Sequence, residues 1–310
     1  MISSIKSLKN NDLVAGIICV LLATLGLSLK AIFIKLTYQA EPNIDAISIL
    51  AIRLVLALPF FILLLLYVSR KASKATFNIS QLPLFLFLGV LGFYVSAILD
   101  FTALAYIPAS LERLILFLYP TFVVLISLFI RPTEVTRAIL FALLISYGGV
   151  VVVFIEQAST ITPQIITGSL LVFGAAISFA IYTVVSVKLI NEHGSVRFTA
   201  YAMFAASGAT LAHALSVHGL GVFNQSLNVY ALIFPMAIFS TVLPLILMAE
   251  GIRRIGASRT SIIATTGPVI TITLAVFFLG ETIGVLQALG GVMIVAGVFF
   301  VAREKAAKIK

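Results

Sequence analysis

Tryptophan is absent from this 310-residue chain, cysteine occurs once, and charged residues make up only 10% of it. A soluble domain carries roughly 25% charged residues. A chain this poor in charge and 61% hydrophobic has more apolar surface than a water-facing fold can hide, and the surplus must face lipid. The single cysteine, Cys19, lies inside an apolar run and excludes an intrachain disulfide or a cysteine metal cluster. HExxH, GxSxG and Walker-type loops are missing, so hydrolysis and ATP-driven pumping have no residues to run them. The expectation is a non-enzyme without metal or cofactor. No segment carries a ladder of arginines, which excludes voltage sensing.

What is present is apolar length. Ten segments of roughly 20–24 residues can be marked, each long enough to cross about 30 Å of hydrocarbon. They run approximately over 13–36, 45–68, 83–105, 109–130, 136–155, 166–188, 196–217, 229–249, 258–279 and 283–302. The first outlasts the roughly 7–15 residues of a signal-peptide core and has no small-residue cleavage site, so a retained membrane helix is expected. Turn signals separate the segments, among them Glu41–Pro42, Arg131–Pro132, His193–Gly194, His218–Gly219 and Gly280–Glu281.

The net charge of +9 would suggest a nucleic-acid partner in a soluble protein. Here its placement explains it. With a cytoplasmic N-terminus, all but four of the 20 Lys and Arg fall on the inner side. The exceptions are Lys30, Lys35, Arg53 and Arg113. The positive-inside rule then puts both termini in the cytoplasm, with an even number of spans and no nucleic acid.

The chain also repeats itself. At an offset of 148 residues, set by Pro120 and Pro268, Ile107 meets Ile255, Ala109 meets Ala257, Ser110 meets Ser258, Ile115 meets Ile263 and Gly149 meets Gly297. The expected organisation is an all-α polytopic membrane protein of ten helices, with repeats at 1–156 and 157–310. Five helices per copy is odd, so the second copy enters the membrane inverted, a construction behind alternating access in secondary transporters.

Intramembrane charge is the candidate chemistry, since each such group costs on the order of 3 kcal/mol unless paired or wet. At 1.5 Å per residue, Lys30, Arg53, Asp100, Glu112 and Arg113 fall in one slab, roughly 5–12 Å below the outer surface. Lys30–Asp100 is the preferred buried pair. Snorkelling to the outer headgroups competes for Lys30, Arg53 and Arg113, and a purely structural ion pair competes for Asp100 and Glu112. The functional reading is a net-positive cluster that binds a carboxylate or phosphate, with Asp100 or Glu112 carrying a coupling proton. In the second copy these acids fall on Met248 and Thr260, so the charged chemistry belongs to the first half.

Pro120 and Pro268 sit within apolar runs and are expected to act as helix hinges. Glu112, Leu116 and Tyr119, at i, i+4 and i+7, would share one face of a continuous helix. Tyr182 could line the same space or simply pack. His213 reads as a satisfied interior histidine in preference to a proton relay. Glycines such as Gly26, Gly174, Gly290 and Gly297 read as close helix contacts.

The run ASLERLILFLYPTFVV (109–124), Arg53–Leu54, and GETIGVLQALGGVMIVAG (280–297) resemble the EamA family of the drug/metabolite transporter superfamily. The resemblance covers nearly the whole chain in two copies. It implies ten helices, a central cavity and alternating access, with small metabolites such as amino acids, nucleosides or quaternary amines as cargo, commonly by proton-coupled export. Two departures stand out. Arg131–Pro–Thr–Glu134 replaces the Gly–Glu found at Gly280–Glu281, and the missing tryptophan weakens any aromatic-cage reading. The expected function is a secondary active transporter of anionic or zwitterionic metabolites in the bacterial inner membrane, working toward efflux. Its partners would be the substrate, protons and membrane lipids. A non-transporting sensor or assembly protein, and a lipid flippase, are the alternatives.

Overall fold

Ile107 precedes Pro108, and the proline ring disfavours a helical backbone there. It is extended (φ −125°, ψ 156°), which ends one helix at Tyr106 and lets the next start at Ala109. Local rules of this kind set most boundaries in the computed structural model, which describes residues 2–71, 81–130, 137–156, 162–255, 260 and 263–308. Among these residues thirteen α-helices follow in order. They are α1 (Ile2–Ala40), α2 (Ala46–Lys71), α3 (Leu82–Gly89), α4 (Ser96–Tyr106), α5 (Ala109–Leu116), α6 (Tyr119–Ile130), α7 (Arg137–Glu156), α8 (Pro163–His193), α9 (Ser195–His218), α10 (Leu227–Ala237), α11 (Leu243–Ile255), α12 (Gly267–Leu279) and α13 (Val285–Lys308). Among the described residues there is no strand. Thr162 caps α8 by accepting the Ile165 amide, with Pro163 in its first turn. Gly280, at φ 66°, takes the left-handed turn that closes α12.

Among the described residues, seven helical stretches are long and apolar enough to cross a membrane: Leu13–Ala40, Ala46–Leu66, Leu82–Tyr106, Ala109–Ser127, Pro163–Ile190, Arg197–Phe223 and Leu227–Ile255. Three shorter apolar helices, Leu140–Ile155, Gly267–Leu279 and Val285–Phe300, overlap the remaining expected segments. The chain is therefore an all-helical, multi-pass membrane protein. The Arg131–Glu134 turn, Ser258, Arg259 and the expected repeat boundary near 157–161 lie outside the described residues.

The irregular places recur at the offset of 148. A π-helical turn joins α3 to α4 over Val90–Val95, and another joins α10 to α11 over Ile238–Val242. The helix interruption at Phe117–Leu118 has its counterpart at Thr265–Thr266. Even the backbone bonds correspond. The Leu118 amide donates to Ile115 O and the Thr266 amide to Ile263 O, each at 3.0 Å, and Phe122 N→Leu118 O is matched by Ile270 N→Thr266 O.

The prolines explain the interruptions. A proline has no N–H to give residue i−4, and its ring crowds that carbonyl. Pro120 therefore cannot bond Leu116, the last residue of α5, and Pro268 cannot bond Ala264, the last helical residue before the second break. The sequence reading put both prolines inside hinged helices. In the structure two turn residues interrupt each run, and each proline occupies the first turn of the following helix, where its missing N–H is not needed.

Two compact units divide the chain, and they do not follow the repeats. The first comprises Met1–Ile32, Glu134–Thr160 and Phe239–Lys310. In it α7 and α13 meet glycine against glycine: a Cβ on Gly290 would overlap the Gly149 carbonyl, and one on Gly297 would overlap Ser146. Gly26 of α1 rests on the Phe239 carbonyl in the second π-turn, and Ser28 donates to Gly267 O at 3.2 Å beside the second break. The second unit comprises Phe33–Thr133 and Ile161–Ile238. There Ser178 of α8 donates to Leu91 O (2.7 Å) in the first π-turn, and Ser96 donates to Ala175 O (3.0 Å). A π-turn displaces carbonyls from their helical partners, and a serine on the neighbouring helix takes one up.

Candidate functional site

Within the second unit, α2 and α4 bury a cation and an anion. Arg53 is 6% exposed and Asp100 2%. The Arg53 guanidinium carbon lies 5.0 Å from the centre of the fully buried Phe101 ring, a cation–π contact, and Asp100, one residue earlier, is the carboxylate whose charge acts on it. Arg53 Nε has no hydrogen-bond partner among the described residues. Tyr38, on the last turns of α1, donates its hydroxyl to Phe101 O at 2.8 Å and lies within electrostatic range of Asp100. The Arg53 side chain lies buried against Phe101 of α4.

Glu112 is completely buried in the first turn of α5. Its own amide closes the first helical bond, to Pro108 O at 3.0 Å, which places the carboxylate near the positive end of that short helix. Arg113 and Tyr119 are half-buried, and the Arg113 charge acts on the Tyr119 phenol. The expected continuous face through Glu112, Leu116 and Tyr119 does not exist, because the interruption at Phe117–Leu118 falls between Leu116 and Tyr119. Tyr119 instead packs edge-on to Phe179 at 5.3 Å.

Phe179 leads to Tyr182 (5.5 Å), and Tyr182 meets Phe93 (5.1 Å) and stacks on Phe198 (6.0 Å). Tyr182 is buried, and its ring covers Gly92 in the first π-turn so closely that no side chain fits there. Packing accounts for it better than cavity lining. Lys30 and Pro268 belong to the other unit, Lys30 half-buried near the end of its part of α1 and Pro268 buried at the start of α12. The structure thus brings Arg53 and Asp100 together with Phe101 and Tyr38, and joins Tyr119 to Tyr182 through Phe179.

Several features escaped the sequence reading. Neither π-turn has a residue signature beyond Gly92 in the first. Phe101 and Tyr38 were unremarkable apolar-run residues. Asp45 caps α2, accepting the Ser48 amide at 3.0 Å, and meets His218 Nε2 at 2.6 Å. Burial pushes the Asp45 carboxyl upward, but hydrogen bonds from the Ser48 hydroxyl, His218 and the Ser48 amide outweigh it and hold Asp45 below its ordinary value. His213 accepts or donates at 2.8 Å to the Tyr94 hydroxyl, in keeping with a satisfied interior histidine. No group of three or more His, Cys, Asp or Glu among the described residues could hold a metal ion.

Two copies of one family pattern, the EamA-like transporter family, match the chain at residues 14–155 and 166–303. The chain belongs to that family. It is 32% identical over 299 residues to the uncharacterized transporter YcbK of Bacillus subtilis (strain 168), covering 94% of this chain and 93% of that protein. It is also 26% identical over 218 residues to the uncharacterized transporter YyaM of the same organism (69% and 71%). An uncharacterized transporter of Archaeoglobus fulgidus matches at 25% over 260 residues (84% and 88%). A crystal structure of another protein, 17% identical, superposes with a TM-score of 0.63 over 96% of this chain and 99% of that one, which shows a shared fold. This EamA-like protein is a multi-pass membrane transporter, and the double family match spans the same two halves as the internal repeat.

Proposed function

We propose that this EamA-like transporter moves small anionic or zwitterionic metabolites, such as amino acids, by proton-coupled alternating access, and that it works in efflux from the cytoplasm. In this reading ten helices form two inverted five-helix repeats, and the protein sits in the bacterial inner membrane with both termini cytoplasmic. The charge asymmetry of the loops supports the orientation. Agreement of the π-turns, interruptions and backbone bonds at one offset supports the repeat.

The observation that carries the reading is the buried Arg53–Asp100–Phe101 arrangement in an apolar bundle. Removing a charge from water costs several kcal/mol even after relaxation. Arg53 offers a planar donor group for a substrate carboxylate, while Asp100 or the buried Glu112 supplies the proton site. Within the same unit, Arg113 and Tyr119 complete the proposed cluster, and the interruption before Pro120 is its hinge. Reconstitution in liposomes under an imposed pH gradient, screening amino acids, nucleosides and organic acids, tests the proposal. One substrate class should accumulate, and either Asp100→Asn or Glu112→Gln should retain binding while losing proton-driven accumulation. If no compound moves under any gradient with folded, monodisperse protein, the reading fails.

A further inference from the structure

Between α3 and α9 of the second unit lies an apolar groove of about 500 Å³, within the range of small-molecule sites. Leu82, Phe85 and Leu86 form one wall, and Tyr201, Phe204 and Gly208 the other. Leu82 and Leu86 are 40% and 46% exposed, and both walls belong to membrane-crossing stretches, so hydrocarbon is the medium outside it. A Cβ on Gly208 would meet nothing within 4 Å, so the floor of the groove is open there.

The groove has one polar end. Arg197, Tyr201, Phe204 and Gly208 stand at i, i+4, i+7 and i+11, which puts them on one stripe of α9. Arg197 is the first residue of its membrane stretch and Leu82 the first of the other, so both lie at the interface. The half-buried Arg197 makes no hydrogen bond or ion pair among the described residues. The carboxylate at the same end, Glu192 of α8, accepts the Gln81 amide at 2.7 Å. From Tyr201 the stripe runs into the hydrocarbon for two turns, about 11 Å.

A cation at the interface above an apolar channel open to lipid matches an anionic amphiphile whose tail lies along the protein. We propose that the groove binds one acyl chain of an anionic phospholipid, with the lipid phosphate on Arg197. The site is separate from the Arg53–Asp100 cluster and stands whether or not the proposed substrate class is right. A planar guanidinium grips phosphate in two-point contact, while the apolar walls accept the chain at no polar cost.

Native mass spectrometry of the full-length protein, released from detergent with added phosphatidylglycerol or phosphatidylcholine of the same chain length, tests the proposal. Wild type should retain a single phosphatidylglycerol roughly tenfold better than phosphatidylcholine, the worth of one charge-assisted contact. Arg197→Gln should abolish that preference, and Gly208→Phe should remove the tightly held lipid altogether. Leu144→Phe, on an exposed position of α7, should change nothing. Should Gly208→Phe fail to fold, Ala209→Leu fills the same groove. Equal retention of the two lipids by wild type, or undiminished phosphatidylglycerol in the Arg197 and groove-filling variants, would overturn it.

Discussion

Replacing Pro120 with alanine restores an N–H opposite the Leu116 carbonyl and removes the ring that crowds it. A proline in a helix interior is about 3 kcal/mol less favourable than alanine. That penalty is absent from the native form, because Pro120 sits in the first turn of α6. It bears only on the alternative in which α5 and α6 run on as one helix. Pro120→Ala therefore leaves the interrupted form untouched and makes the continuous form accessible by up to about 3 kcal/mol, roughly a hundredfold in population. Hydrogen exchange of peptides covering 113–124 reads this directly. Protection at 117–121 should rise by one to two orders of magnitude, and flux in the liposome assay should fall. Pro268→Ala should repeat the result at 265–269, since the second break has the same bonds. Unchanged protection in both variants would refute the claim that the prolines cause the interruptions. Increased protection with undiminished flux would separate the breaks from the transport cycle.

Three further outcomes follow from side chains already placed. Arg53→Gln should abolish transport and lower thermal stability in a fluorescence melt, with a loss of about 3 kcal/mol, since Asp100 keeps its charge without the guanidinium; Arg53→Lys should recover stability better than flux, because it restores charge without the planar group over Phe101. Gly92→Ala should sharply reduce the yield of monodisperse protein, because the new methyl collides with the Tyr182 ring, and adding Tyr182→Ala should recover part of that yield. For Asp45 the folded value is lowered, so its stabilising contribution is present above the ordinary carboxylate value of about 3.9 and is lost as pH falls through the lowered one. Melts of Asp45→Asn should fall below wild type at neutral pH and converge with it in acid, and a constant gap across the range would contradict the assignment.

What the sequence alone determined follows from rules that act locally. Membrane crossing came from apolar length, several boundaries from turn signals such as Pro42, Gly194, Gly219 and Gly280, and the duplication from matching residues at one offset. Orientation in the membrane was inferred from where Lys and Arg fall, and the EamA resemblance from contiguous motifs. The charged residues of the cluster were also visible, because a charge inside an apolar run stands out whatever surrounds it. The partner of each charge was not visible. Arg53 lies against Phe101 because α2 and α4 pack in one unit, and nothing in either segment specifies that meeting. The face through Glu112 and Tyr119 failed because Pro120 acts four residues upstream and breaks the register on which helical periodicity depends. The π-turns depend on a neighbouring helix, where Ser178 takes up a carbonyl and Tyr182 fills the space over Gly92. The groove between α3 and α9, with Arg197 at its end, is likewise a property of two surfaces, each of which alone reads as an ordinary lipid-facing helix.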